Sequence, residues 1–149
     1  MSTTNNTRLI QPYLFFNGRC EEAVEFYRTA LGAQVLFTMR YKESPEPPPP
    51  GRVPPGFENK IMHTSFKVGD TVVMASDACS TDQPKFEGFS LSVSVPNENE
   101  ADKVFSALSN GGKVEMPLTK TFWSPRFGMV EDKFGIAWMV SVPGEPPKK

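Results

Sequence analysis

His63 is the one histidine in 149 residues. An imidazole titrates near neutrality, which suits proton transfer. It stands in the run Ile61-Met62-His63-Thr64-Ser65-Phe66-Lys67-Val68, where strand alternation groups it with Ser65 and Lys67 and opposes it to Met62, Thr64, Phe66 and Val68. A polar strand face lines a cavity or meets solvent, so His63 is read either as a pocket acid/base or as a structural or exposed residue. A single imidazole cannot form a multi-histidine metal shell. Any metal would depend on acids such as Asp77, Glu131 or Asp132. Asp77 closes an apolar run before Ala78-Cys79-Ser80 and is read evenly as turn former or pocket acid. The catalytic candidates are therefore His63, Asp77 and Glu131. No metal ligands and no cofactor are assigned, and a divalent metal is expected only through a non-standard site.

A second set of residues could bind an organic molecule. Ser90, Ser92 and Ser94 form a hydroxyl stripe opposite Phe89, Leu91, Val93 and Val95, facing a cavity or solvent. Ser92 lacks the elbow motif and triad order of a nucleophile. Tyr13, Phe122, Trp123 and Trp138 supply aromatic area, either as core or as pocket wall, and Arg126 could contact an anion. With no G-x-G-x-x-G or other nucleotide loop, S-adenosylmethionine-dependent methyl transfer is not expected. Cys20 and Cys79 are far apart, without CxxC or partner-histidine spacing, and read as buried thiols.

The elements that must position these groups come from an internal repeat. Phe26 and Phe105, Gly32 and Gly111, and Val35 and Val114 share one offset of 79 positions. Each Phe follows a strand-like run, Tyr13 to Phe16 or Ser90 to Val95, and lies in a helical pattern. Cys20, Ala23, Val24, Tyr27 and Leu31 give one apolar stripe and Ala101, Val104, Phe105 and Leu108 the other. Asn97 with Glu100 has capping-box spacing, Asn17 precedes Glu21 and Glu22, and Gly32 and Gly111 stand where a helix C-cap favours positive φ. Strands follow at Gln34 to Tyr41, Ile61 to Val68 and Thr71 to Ser76, and again at Lys113 to Phe122, Phe127 to Asp132 and Ile136 to Val142. Turns at Gly69-Asp70 and Phe134-Gly135 have an offset of 66, so the first copy carries 13 extra residues. These match the Pro-rich stretch 44–57, whose seven prolines cannot join a sheet. It is read as a projecting loop: a pocket lid, a PxxP ligand or a functionless insertion.

Lys plus Arg number 16 and Asp plus Glu 17, for a net charge of -1, which makes nucleic acid and anionic membranes poor partners. No run of about 18 apolar residues could span a membrane, and the polar start lacks a signal-peptide core. A cytoplasmic protein is expected. Residues 1–8 and 143–149 read as flexible termini.

The pattern Glu22-Ala23-Val24-Glu25-Phe26-Tyr27-Arg28-Thr29-Ala30-Leu31-Gly32 and the closing Asp132-Lys133-Phe134-Gly135 resemble the vicinal-oxygen-chelate superfamily, the glyoxalase, bleomycin-resistance and extradiol-dioxygenase group. The runs Ile61-Met62-His63-Thr64 and Gly69 to Asp77, with Thr121-Phe122-Trp123 and Phe127-Gly128, are similar to its PhnB-like branch. The resemblance implies an α+β fold of two tandem βαβββ units forming a cup-shaped mixed sheet, unit one at 9–77 and unit two at 88–142, within one domain at 9–142. It also implies a homodimer and a pocket for a small organic molecule. Metalloenzymes of this superfamily place His, Gln and Glu ligands where this chain has Tyr13, Val73, Ser92 and Met139. The expected reading is a small-molecule-binding protein with Tyr13, Ser92, Phe122, Trp123, Arg126, Trp138 and Met139 at its ligand. A metal-assisted or acid/base lyase, isomerase or dioxygenase with a non-standard site is the alternative.

Overall fold

The computed structural model describes residues 8–46, 53–77 and 84–144. The chain divides into two compact units, the second beginning at Pro84 apart from a short stretch of the first helix.

The first unit runs β1 (Tyr13–Phe15), α1 (Cys20–Leu31), β2 (Gln34–Arg40), β3 (Ile61–Val68) and β4 (Thr71–Ser76). Its four-stranded sheet has the order β1-β4-β3-β2, with β1 parallel to β4 and the other pairs antiparallel. The apolar stripe of α1 buries Cys20, Ala23 and Tyr27. The Tyr27 ring stacks on Phe66 of β3 at 6.0 Å and packs 6.3 Å from Phe16. Burying an aromatic side chain contributes about 1.5–3 kcal/mol, so this cluster dominates the first core. Gly32 ends α1 in the left-handed conformation at φ 68°, as its position predicts.

The second unit repeats the order: β5 (Leu91–Ser94), α2 (Glu98–Ser109), β6 (Lys113–Thr119), β7 (Phe127–Glu131) and β8 (Ala137–Ser141). Its sheet has the order β5-β8-β7-β6. The helix α2 buries Ala101, Phe105 and Leu108, and Asn97 Oδ1 accepts from the Glu100 N–H at 2.9 Å. A Cβ on Gly128 would lie 2.7 Å from Phe105 Cε1, so helix and sheet approach closely only because β7 has glycine there.

Several boundaries differ from the sequence expectation. The strand expected to reach Phe122 stops at Thr119. The Thr121 hydroxyl then accepts from the Trp123 and Ser124 N–H groups, and Thr121 N donates to Ser124 O, forming a tight turn that places Phe122 and Trp123 outside the sheet. The strand expected to reach Tyr41 ends at Arg40, where a 3-10 turn over Tyr41–Glu43 begins. The expected span at Ile136 to Val142 contracts to β8, and the C-cap of α2 is Asn110, one residue before Gly111.

Asn17 does not cap α1. The N-cap position is Arg19, and the capping oxygen comes from Asp77. The Pro-rich insertion lies between β2 and β3, where the repeat offset places it. Its flanks stay paired through Tyr41 N to Lys60 O and Lys42 N to Glu58 O, and its centre, 47–52, lies outside the described residues. So do 78–83, with Cys79, and most of both termini. No helix among the described residues is long and apolar enough to cross a membrane.

Candidate functional site

Each sheet has one face against its own helix and one face that its helix does not cover. Strand alternation and register identify the side chains on the latter. In the first unit, Phe37, Ser65, Met74 and Tyr13 form a row across β2, β3, β4 and β1. The adjoining row brings Met39 beside His63, and Phe15 flanks Tyr13 on β1. The opposite face carries Leu14, Phe66, Val73 and Ala75, all buried. An extra residue at Met62 shifts the register from Met39↔His63 to Arg40↔Ile61. This β-bulge turns Ile61 toward the buried side and leaves His63 on the open one.

Two residues singled out separately in the sequence meet here. Tyr13 Oη lies 3.2 Å from His63 Nδ1. When the phenol donates to Nδ1, the ring proton resides on Nε2. The two rings are 5.7 Å apart, with Phe15 4.9 Å from Tyr13 and Phe37 6.2 Å from His63. Phe15 and Phe37 remain 49% and 48% exposed. The result is a phenol–imidazole pair held in an aromatic frame. Phe15, Phe37 and Met74 were missed by the sequence reading, although alternation from Tyr13 already marks Phe15.

In the second unit the corresponding row is Met116, Met129, Met139 and Ser92. Phe127 shares this face, and the Trp123 ring packs edge-on to it at 5.4 Å and to Phe122 at 4.8 Å. Ser92, Met139, Phe122 and Trp123 thus lie on this face or at its rim. Trp138 does not. It is 6% exposed on the helix side of the sheet, and its Nε1–H donates to Asp132 Oδ2 at 2.8 Å. Arg126 is held by Asp102, with Nε donating to Oδ1 at 2.8 Å and the guanidinium closing the ion pair at 2.6 Å.

The acids are placed differently from one another. Asp77 is 1% exposed, and its carboxylate accepts from the N–H groups of Gly18, Cys20 and Ile61 at 2.6, 2.8 and 3.0 Å. Those bonds occupy it as an anchor between the end of β4 and the start of α1, the turn-forming side of its reading. Burial and the neighbouring Asp77 carboxylate push the Cys20 thiol far above its ordinary value, so Cys20 is an inert core group. Glu131 is exposed at the end of β7, opposite Lys113 and Ala137, in the other unit from His63. Among the described residues no three His, Cys, Asp or Glu side chains converge as a metal shell would.

The register also corrects one correspondence. Tyr13 pairs with Met74 and Ser92 with Met139, so the repeat partner of Met139 is Met74, and Val73 points into the core. The cause is the β7–β8 connection, one residue longer than β3–β4: Met129 to Met139 spans ten positions and Ser65 to Met74 nine.

A two-unit sheet-and-helix repeat with this open face can be compared with known proteins. The profile of the family described as 3-demethylubiquinone-9 3-methyltransferase matches residues 8–141. The chain belongs to that family. Protein YjdN of Escherichia coli K12 is 32% identical over 143 residues, covering 93% of this chain and 97% of that one. The crystal structure of PA1353 from Pseudomonas aeruginosa matches this PhnB-like chain with TM-score 0.81 and 39% identity, over 93% of this chain and all of that one. A Bacillus cereus structure described as a putative 3-demethylubiquinone-9 3-methyltransferase, PhnB protein, matches with TM-score 0.75 and 28% identity, over 91% and 99%. The fold alone extends to a glyoxalase-related enzyme and a fosfomycin-resistance protein, at 15% and 7% identity. The α+β, two-unit architecture of the glyoxalase/bleomycin-resistance superfamily is therefore that of this chain.

Proposed function

We propose that this PhnB-like chain binds a small organic molecule on the uncovered face of its first sheet. The observation that carries the reading is the Tyr13–His63 contact at 3.2 Å, set among Phe15, Phe37 and Met74. Exposed rings around a few convergent polar groups are the usual composition of a ligand site, with the rings supplying burial and the phenol–imidazole pair fixing orientation. Ser92, Met139, Phe122 and Trp123 offer the second unit's face to the same class of ligand, whereas Arg126 is held toward the helix side by Asp102 of α2. The edge strand β2 exposes Val35, Leu36 and Phe37, which favours a homodimer as the working state. With a net charge of -1, nucleic acid is a poor partner, and the cytoplasm is the proposed location.

A thermal-shift screen of phenols, aromatic acids and other small organics tests the reading. A ligand at a hundred times its Kd stabilises by about 2.7 kcal/mol. Hits should raise the melting temperature of the parent and lose most of that effect in Tyr13→Phe and Phe37→Ala. Hits indifferent to both substitutions would place the ligand elsewhere and sink the proposal.

The same contact favours a second reading, in which Tyr13 and His63 pass a proton to or from a bound substrate. Turnover on glyoxal hemithioacetals or catechols, abolished in His63→Ala and accompanied by stoichiometric divalent metal in fresh protein, would favour the metal-assisted enzyme.

A further inference from the structure

Met116, Met129 and Met139 occupy three adjacent strands, β6, β7 and β8, in direct register. Val130, Trp138 and Val140 on the other face are buried at 1%, 6% and 0%, so alternation turns Met129 and Met139 onto the uncovered side; Met116, between register shifts on either side of it, joins them through its pairing with Met129, and each of the three is half-buried. Neighbouring strands lie about 4.8 Å apart. A methionine side chain is unbranched with three rotatable bonds, so the outer two can lean over the middle one. The matching row of the first unit, Phe37, Ser65, Met74 and Tyr13, has a single thioether.

Thioether sulfur is a soft, neutral donor without a proton to lose. Three such donors match a monovalent d10 ion such as Cu(I) or Ag(I), and they match a hard divalent ion poorly. We propose that the methionine row of the second sheet is a binding site for a soft monovalent ion of this class, held by Met116, Met129 and Met139. Binding exchanges solvent or buffer ligands for three sulfur lone pairs, transfers no electron and releases no proton. It therefore persists under acid conditions where imidazole or thiolate sites are protonated. The proposed ligands are none of the residues His63, Asp77, Glu131 and Asp132 that the sequence offers to a metal, and the site does not depend on the organic-ligand reading.

The test uses the full chain carrying Cys79→Ser, which removes a competing thiol; the Cys20 thiol is buried. With 13C-methyl-labelled methionines, the protein is titrated with Ag(I), which is redox-inert. Of its seven methionines, the methyl signals of Met116, Met129 and Met139 should move together and saturate at one ion per chain, at pH 5 as at pH 7. Met129→Leu and Met116→Leu, close to isosteric and checked for folding by circular dichroism, should each weaken binding at least tenfold. Met74→Leu should leave it unchanged. Unmoved signals, an equal shift of all seven, or undiminished binding by both leucine variants would overturn the inference. Organic ligands that bind while Ag(I) leaves these signals unmoved would overturn it too, while leaving the proposed function standing.

Discussion

Asp77, at the end of β4, accepts the N–H of Cys20, the first residue of α1, at 2.8 Å across 57 positions of sequence. The same carboxylate holds Gly18 and Ile61, so one side chain ties the start of the helix to both ends of the β3–β4 hairpin. Asp77→Ala would leave three backbone donors without their acceptor and should cost about 3 kcal/mol or more. Asp77→Asn keeps an acceptor oxygen and should cost about half as much. Urea denaturation measures both. An Asp77→Asn protein of parental stability that had lost only turnover would show that the carboxylate serves chemistry instead.

Trp138 provides a comparable test in the second unit. Trp138→Phe retains the ring but removes the Nε1–H donated to Asp132, and should cost about 1–3 kcal/mol. Because the indole lies on the helix side of β8, affinity for any ligand of the uncovered face should not change. Calorimetry on the parent and variant, with a hit from the thermal-shift screen, separates the two effects.

Close approach of α2 to β7 leaves little room for a methyl group at Gly128. Gly128→Ala sets a Cβ against Phe105 Cε1 and Leu118, and should destabilise by about 1–3 kcal/mol. Adding Phe105→Leu should recover part of that loss. A double mutant whose cost is the plain sum of the singles would show that the two side chains do not meet.

Acid sensitivity has one legible contributor. The hydrogen bond from Arg40 holds the Glu21 carboxyl below its ordinary range, against a smaller opposing effect of burial. A carboxyl depressed in the folded state contributes stability above its unfolded pKa and loses it as pH falls through the folded one. The contribution should fade as pH falls below the ordinary carboxyl value of 4.5, and it is shallow because Glu21 is 68% exposed and screened by solvent. Melting curves of Glu21→Gln through that fall should show a flatter acid limb than the parent.

Much of this fold is legible in the residues. The 79-position offset joins Phe26 to Phe105 and Gly32 to Gly111, and period-2 and period-3.6 patterns locate every strand and both helices, because those patterns are set by local backbone geometry. Tyr13, His63, Ser92 and Met139 were also recognisable as residues of strands with an uncovered face. The side of Trp138 was not, since an aromatic in a strand reads equally as core or pocket wall until the sheet has a helix on one side. Nor was the end of β6, where the Thr121 hydroxyl stops the strand and carries Phe122 and Trp123 out of the ladder.

The sequence by itself determined the two-copy organisation, the place of the Pro-rich insertion and the types of side chain available for chemistry, because repeats and periodicity are properties of the linear chain. Only the tertiary structure decided which of them meet. Strand register is set by bulges and turn lengths, and a one-residue difference reverses a side chain's face. The extra residue between β7 and β8 makes Met74 the counterpart of Met139. It is register likewise that assembles Met116, Met129 and Met139 from separate strands, and β1 lying beside β4 in the sheet that sets Tyr13 against His63.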